Sequence, residues 1–458
     1  MNHYDLMLNG AKTLARMTRN GIKVDIGHYE REQVVIQKEM DSQLRLIEKE
    51  YGGIWRKRHR IETNYTSPDQ LADVIFNGLG RTSKQLTGTG KNSTSAENLQ
   101  EHSDLPLVQY YLKYQKLQKL KSTYIKNILN EQVDGFLHPF FNLHTVVTYR
   151  SSSSNPNFQN MPIRDPYAGK VIRTGLVARP GHRLVEVDYS GAEVRVGACY
   201  HKDPTMIEYI NDPKKDMHRD MAGEVYMTPV ESVSKQMRQT AKGGFVFAQF
   251  YGSGYVQCAE NLWDAAINLF DDNGVCCMDT LNMVGGISKL GPLDYEAKPK
   301  KGTFVRHMRD VVNSFWNDRF PDYQKWKEEV WGYYLKKCRI EFLTGFVIQD
   351  KIMKKNQVIN TPVQGAAFHC LLWSIIVLQE YLDKYKMKAK LVGQIHDSII
   401  ADVPDDELED FLVLIDWVMT RRIKKAYKWL IVPMEIEAEV SPVGGCWADK
   451  QEVAVPTN

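Results

Sequence analysis

Polar and apolar positions alternate most clearly in four short stretches. Over residues 183–190, Val185 and Val187 alternate with Glu186 and Asp188 until Gly191 breaks the pattern, as in a half-buried strand that carries a carboxylate to its end. Residues 391–395 and 399–403 read as two further strands, joined by the tight connection His396, Asp397, Ser398. Met434, Ile436, Ala438 and Val440 alternate with Glu435, Glu437 and Glu439, a fourth strand. The four are expected to share one antiparallel sheet. Elsewhere the apolar spacing is helical, over 27–50, over 105–130 and through most of 217–381, where 233–251 and 360–381 are strongest. Loops are expected around 271–274 and 285–302, and the stretch 78–95, heavy in Gly, Ser and Thr, reads as a mobile surface segment. Helices set around a small sheet predict an α+β fold.

At 458 residues the chain exceeds what one hydrophobic core usually serves, so several lobes with a cleft between them are expected. Lys plus Arg 59 against Asp plus Glu 56 leaves +3, too even a balance to imply a nucleic-acid partner. A local patch does suggest one. The helix over 105–130 carries Lys113, Lys116, Lys119, Lys121 and Lys126, a stripe of one sign that suits a phosphate backbone or, more blandly, a solvated face. Seven cysteines without a CxxC pair form neither a disulfide framework nor a zinc pattern. The N-terminus lacks the order of a signal peptide and the apolar run 366–378 is too short to span a bilayer, so a soluble, cytoplasmic monomer is expected.

Two aspartates, Asp188 and Asp397, stand at predicted strand ends, and a sheet can bring them together. Paired carboxylates attract a hard divalent cation such as Mg2+, which keeps open positions for phosphates, although an aspartate at a strand end often only caps a turn. Arg238 and Lys242, four apart, share one helix face, and Phe245, Phe247, Phe250 and Tyr251 follow. Cations then aromatics on one helix can hold a triphosphate and stack a base.

The stretches DYSGAEVRV (188–196), RQTAKGGFVFAQFYG (238–252) and QIHDSIIADV (394–403) resemble, in order, the three polymerase motifs of family A DNA polymerases, the bacterial polymerase I type and its bacteriophage relatives. TYRSSSSNPNFQNMP (148–162) and INTPVQGAA (359–367) resemble two further signatures of that family. NYTSPDQLADVIF, TGTGKNSTSAENL and KYQKLQKLKSTYI resemble its thumb, and VGGCW (443–447) its C-terminal end. The resemblance implies a right-hand polymerase fold with an antiparallel palm sheet: an N-terminal segment joining the palm over 1–26, a thumb over 27–130, palm over 131–205 and 351–458, and fingers over 206–350. It implies a DNA-templated DNA polymerase that extends a primer with deoxynucleoside triphosphates. Asp188, Asp397 and the Tyr189 carbonyl would bind two Mg2+ ions, with Mn2+ as an alternative. Arg238, Lys242 and His218 would hold the triphosphate, with Lys242 also protonating the leaving pyrophosphate, and Glu193 with Tyr251 would exclude a ribose 2′-hydroxyl. Arg150, Asn157, Gln159, Asn360, Gln364 and His396 would contact primer and template near the terminal pair. The thumb lysines Lys113, Lys116, Lys119 and Lys121 would contact the DNA backbone.

The chain departs from the family pattern in places. Ser398 replaces the usual glutamate, so the third acid is missing; Gly191 replaces a glutamine; Asn356, beside Lys355, replaces an arginine. Lys242 and Tyr251 stand one residue farther apart than in the family, which rotates them about 100° on an α-helix unless a π-bulge at Gly243 and Gly244 absorbs the extra residue. Counting back from Tyr251 favours Phe247 over Phe245 as the stacking ring. Thumb-like sequence begins within about thirty residues, so proofreading is expected to be absent, carried by a separate exonuclease polypeptide, or cut away; a processivity factor is a further candidate partner. The rival readings are a single-subunit RNA polymerase, whose hairpin also resembles His-Asp-Ser but against which Glu193 and the 150–160 signature argue, and a catalytically silent DNA-binding scaffold.

Overall fold

The computed structural model describes residues 1–163, 165–285 and 302–456, the last four before 286 as backbone only. The loop expected over 285–302 lies outside the described residues apart from its two end positions.

The centre of the molecule is a five-stranded antiparallel sheet formed by β1 (His182–Tyr189), β2 (Lys390–Ile395), β3 (Ser398–Pro404), β4 (Ile436–Val440) and β5 (Gln451–Val453), in the order β5-β4-β1-β3-β2. The alternation in β1 sorts its side chains between two cores. Val185, Val187 and Tyr189 enter the largest apolar cluster, while Leu184 on the opposite face joins a second cluster with Ile400 and Trp447. Glu186 and Asp188 share Leu184's face by the strand's period of two. Pairing of β1 with β3 is unbroken from Ser398 opposite Asp188 to Pro404 opposite His182. On the other side, β4 sets Glu437 opposite Asp188 and Glu439 opposite Glu186, so the glutamates of the fourth predicted strand line the same face. The expected connection shortens to two residues, because Ser398 is already paired with Ile395.

Seven helices matter to the site: α1 (His3–Asn20), α2 (Ile26–Arg58), α3 (Pro106–Lys119), α4 (Ala192–His201), α5 (Met217–Tyr226), α6 (Lys235–Ala241) and α7 (Lys355–Lys384). The helix expected over 105–130 is α3 continued through a π-helical turn, Leu120–Ile125, into Lys126–Glu131. Its buried Leu107, Val108 and Tyr111 join Ile47 and Trp55 of α2 and Leu71, Val74 and Ile75 in a third core of their own. Each such side chain, fully buried, stabilises by roughly 1.5–3 kcal/mol, enough for a lobe with its own packing. The 78–95 stretch is mostly exposed, yet it is tied down: the buried Asn98 side chain donates to Ser83 Oγ at 2.9 Å and to the Ser93 carbonyl at 2.6 Å.

α7 is long and apolar enough to cross a membrane, but its most apolar window is 94% buried inside the protein, as in a core helix. It backs the sheet. Gly365 lets it pass close to its neighbours, since a Cβ there would stand 2.6 Å from the Thr148 carbonyl and 2.3 Å from the Phe342 ring. α1 ties the N-terminus to this assembly through two Arg16–Asp383 hydrogen bonds of 2.6 Å and through Asn20 Nδ2, which donates to the Leu391 carbonyl of β2 at 2.9 Å.

Candidate active site

The two sequence-predicted aspartates meet at one end of the sheet. His396, with φ of +50°, and Asp397 form the turn between β2 and β3, a turn class that calls for positive φ. The Tyr189 amide donates to the Asp397 carbonyl at 3.3 Å, which seats the turn beside the end of β1. Asp188 Oδ1 is buried and has no hydrogen-bond partner among the described residues. Burial first, then the charge of Asp397 and a hydrogen bond with it, then Glu186 and Glu437, hold the Asp188 carboxyl well above the ordinary carboxylate range. A buried, crowded carboxylate with an open oxygen is costly unless a cation joins it, so the donor set fits a hard divalent ion. Among the described residues no group of three or more His, Cys, Asp or Glu is arranged to hold a metal ion, so the protein offers two carboxylates here and not three. The Tyr189 side chain points away, its hydroxyl 2.9 Å from Ser374 Oγ and 3.0 Å from the Met419 carbonyl, leaving only its main chain near the acids.

Glu186 lies one pleat behind Asp188. One of its oxygens accepts from Ser398 Oγ at 3.0 Å; the other accepts from Trp447 Nε1 at 2.8 Å and from Lys450 Nζ. Burial pushes its pKa up, but the Lys450 charge and these hydrogen bonds outweigh burial and hold it below the usual value.

Across the cleft, Ser234 caps α6 by accepting from the Met237 amide. The segment Lys242–Phe247 that follows is a π-helical turn, and it contains Gly243 and Gly244, where the extra residue was expected to be absorbed. Lys242 Nζ stands 5.5 Å from the centre of the Phe247 ring, and His218 of α5 meets that ring edge-on at 5.7 Å. Burial, then the Lys242 and Arg238 charges, lower the His218 pKa to about 4, so its imidazole is neutral near pH 7; its Nδ1 is buried without a partner. Phe245 is fully buried against Phe315, which leaves the half-buried Phe247 as the ring next to the cations. Arg238 is engaged in a way the sequence did not suggest: its Nε donates to Asp216, which also caps α5 through the Arg219 amide.

Glu193 joins the two sides. Its carboxylate accepts from the Tyr251 hydroxyl at 2.8 Å and lies 3.6 Å from Arg150 Nη1. Burial, then Glu193, raise the Tyr251 pKa, and the Asp397 charge adds to the rise. Gly191, where the family usually has glutamine, has φ of +64° at the start of α4, a left-handed conformation that costs other residues roughly 1–2 kcal/mol.

Arg150, Ser151, Gln159, His396, Val146 and Phe368 line a cavity of about 210 Å³. Asn360 and Gln364 precede Phe368 at intervals of four on α7 and are partly exposed, and Asn157 is exposed nearby in the chain. Sequence reasoning missed Gln394. Fully buried in β2, it accepts from Ser151 Oγ at 2.6 Å and Gln159 Nε2 at 2.7 Å, and donates to the His396 carbonyl at 2.7 Å. A lone amide inside an otherwise apolar strand, two residues before His396, was the available signal.

The lysine stripe divides. Lys113 pairs with Glu39 at 2.6 Å, Lys116 lies 3.7 Å from Asp165, and Lys121 Nζ donates to Gln37 at 2.5 Å. Lys119 and Lys126 are exposed with no ion-pair partner among the described residues. At the start of α7, Lys355 pairs with Glu328 at 2.7 Å and Asn356 Nδ2 donates to the Gly252 carbonyl at 3.2 Å, so neither takes the place of a free arginine.

Known proteins resemble this chain in sequence and in fold. The sequence profile of DNA polymerase family A matches residues 32–267 and 306–449. The chain is similar to DNA polymerase I of Chloroflexus aurantiacus, 28% identical over 396 residues, which cover 83% of this chain and 37% of that one. It is also 28% identical to the thermostable DNA polymerase I of Thermus thermophilus over 435 residues, 93% of this chain and 46% of the relative. The chain thus spans less than half the length of these relatives. The POL domain of Pol1 from M. smegmatis, solved in complex with DNA primer-template and dNTP, has the same fold, with a TM-score of 0.75 at 23% identity over 97% of this chain and 70% of that one.

Proposed function

The chain belongs to DNA polymerase family A, and from that premise we propose that it is a DNA-templated DNA polymerase, extending a primer 3′ end with deoxynucleoside triphosphates. The observation that carries this reading is the Asp188–Asp397 pair, with its buried open oxygen, at the end of a sheet linked through the Glu193–Tyr251 hydrogen bond to the helical segment bearing Arg238 and Lys242. On this reading the lobe over 27–130, with its own core, is the thumb, 206–350 the fingers, and 131–205 with 351–458 the palm, to which 1–26 is joined.

Members of the family use divalent metal ions. Asp188, Asp397 and the Tyr189 carbonyl would hold two Mg2+, or Mn2+. Such ions, when bound, lower the pKa of the primer hydroxyl and neutralise charge at the transferred phosphate. The chain's own residues do the remainder. Lys242 and Arg238 bind the triphosphate of the incoming nucleotide, Arg238 by exchanging Asp216 for phosphate, and Lys242 holds a proton for the departing pyrophosphate. Neutral His218 donates a hydrogen bond to the same phosphates. Phe247 stacks on the base, and Glu193, fixed by Tyr251 and Arg150, blocks a 2′-hydroxyl. With Gln394 holding Gln159 from behind, Arg150, Gln159, His396, Asn157, Asn360 and Gln364 line the path of the terminal base pair, where minor-groove acceptors are similar for every correct pair.

Primer extension by the purified chain, with radiolabelled deoxy- and ribonucleotides offered on the same primed template, tests the reading. Deoxynucleotide incorporation is expected. Asp397→Ala should abolish it, by about 10³-fold or more given several kcal/mol of metal stabilisation, while DNA affinity is retained. Preferential ribonucleotide use would point to an RNA polymerase, and an unaltered rate in the variant would reject the metal pair.

A further inference from the structure

The position where the family likeness calls for a third acid is Ser398, and it lies directly opposite Asp188. Its hydroxyl sits between two acceptors, Glu186 Oε1 at 3.0 Å and the Ile395 carbonyl at 3.0 Å. The first belongs to the neighbouring strand and the second to the other arm of the hairpin that carries Asp397, so this one hydroxyl links both strands that bring the catalytic acids together. Glu186 is itself immobilised from behind: Trp447 Nε1 and Lys450 Nζ both donate to its other oxygen. Lys450 is only 3% exposed along its side chain and also donates to Glu439 of β4 at 2.9 Å. Trp447 is held in turn between the Phe158 ring, stacked at 5.4 Å, and the Arg173 guanidinium, 4.5 Å from its centre.

Glu186 therefore has three donors on its two oxygens, with each oxygen already engaged. It is nonetheless a fixed carboxylate on the same face as Asp188, joined by one hydroxyl to position 398. Replacing a carboxylate at 398 with a small hydroxyl also relieves crowding on a face that already holds Asp188, Asp397, Glu186, Glu437 and Glu439. Groups behind first ligands orient them and commonly govern metal affinity.

We propose that Lys450, Glu186 and Ser398 form a positioning relay for the Asp188–Asp397 pair, in which Glu186 supplies, from the neighbouring strand, the support that a third acid at position 398 would give. The relay acts on where Asp397 stands, and through that on how readily the pair takes up Mg2+. It rests on the polymerase reading, and the experiment separates the two.

The full chain and the near-isosteric variants Glu186→Gln, Ser398→Ala and their combination are compared in primer extension as Mg2+ is varied at saturating nucleotide and DNA. Each single variant should raise the Mg2+ concentration for half-maximal rate by about tenfold, the low end for loss of a supporting partner. The rate at saturating Mg2+ and the affinity for primer-template should stay within about twofold, a split that general loss of folding would not produce. Because both residues lie on one relay, the double variant should need no more Mg2+ than the worse single one. An unchanged Mg2+ requirement in Glu186→Gln, or effects that multiply in the double variant, would overturn the relay while leaving the polymerase reading intact. If the unaltered chain extends no primer at any Mg2+ concentration, the polymerase reading falls and the relay with it.

Discussion

The sheet end and the fingers helix treat their charges in opposite ways. At the sheet end, Asp188 and Asp397 are pressed together with no cation bonded to either among the described residues, while Lys450 is engaged one pleat back by Glu186 and Glu439. On the fingers side, Arg238 already has a counter-charge in Asp216, and the third basic group, His218, is kept neutral by burial and by its cationic neighbours. The difference teaches that among the described residues no cation relieves the anionic half, which on the proposed reading would take its partner from outside the protein. The cationic half has one of its two charges, Arg238, already paired with Asp216, which on the proposed reading a phosphate would displace. Complementary ligands, a divalent ion and a triphosphate, would complete both at once.

Removing Lys242 is the sharpest way to break this contrast, as, unlike Arg238, it has no carboxylate bonded to it among the described residues. Lys242→Met should lower kcat by about 10²–10³-fold, the range for losing one preorganised charge, with DNA affinity unaltered; single-turnover extension would read it. A loss confined to KM would make Lys242 a binding group without a role in the departure of pyrophosphate.

The strained anionic half makes a prediction about pH. Folded Asp188 keeps its proton to a higher pH than the unfolded chain's ordinary value of about 3.9. Between those two values the folded state binds more protons, so this residue's contribution to stability is lost as pH rises through the window. In Mg2+-free buffer, the difference in Tm between Asp188→Asn and the unaltered chain should grow in the variant's favour from pH 5 to pH 8, and added Mg2+ should narrow it. A difference independent of pH would mean that Asp188 is not strained.

Freeing Arg238 should have a smaller effect. Asp216→Asn keeps an oxygen to cap α5 but removes the charge on Arg238, and since both partners are about a third exposed, their pair is worth about 1 kcal/mol or less. The KM for nucleotide should fall by up to about fivefold, measured in steady state at fixed primer-template. A rise in KM would show that Asp216 orients Arg238 and does not compete for it.

The smallest expected effect carries the same contrast of engaged and free charge to the 105–130 helix. Substituting Lys119 and Lys126 together should flatten the slope of log affinity for duplex DNA against log salt by about 0.9 per lost phosphate contact, whereas Lys113→Ala, already paired with Glu39, should hardly move it. Equal effects from both sets would restore the uniform stripe expected from sequence.

Much of this was legible from residues alone, and what was not has a common cause. The four strands were readable because alternation in β1 and β4 reflects a period-two backbone whose faces meet different surroundings. Yet the same pattern read Glu186 as simply polar, and nothing local says that it meets Ser398, Trp447 and Lys450 far along the chain. The extra residue after Lys242 was countable, and tandem glycine marked where a π turn could absorb it. Arg238 looked like a free cation, because its partner Asp216 belongs to another helix.

By itself, then, the order of amino acids determined the element types, the family likeness and the two acids on which chemistry would depend, since propensity and periodicity act through neighbours a few residues away. Only the tertiary structure decided which charges are engaged inside the protein and which are not: Lys113 and Arg238 paired, Lys119 without an ion-pair partner among the described residues, Asp188 crowded with one oxygen open. Coulomb interactions and desolvation depend on distance and burial in space, and neither is written in the spacing along a chain.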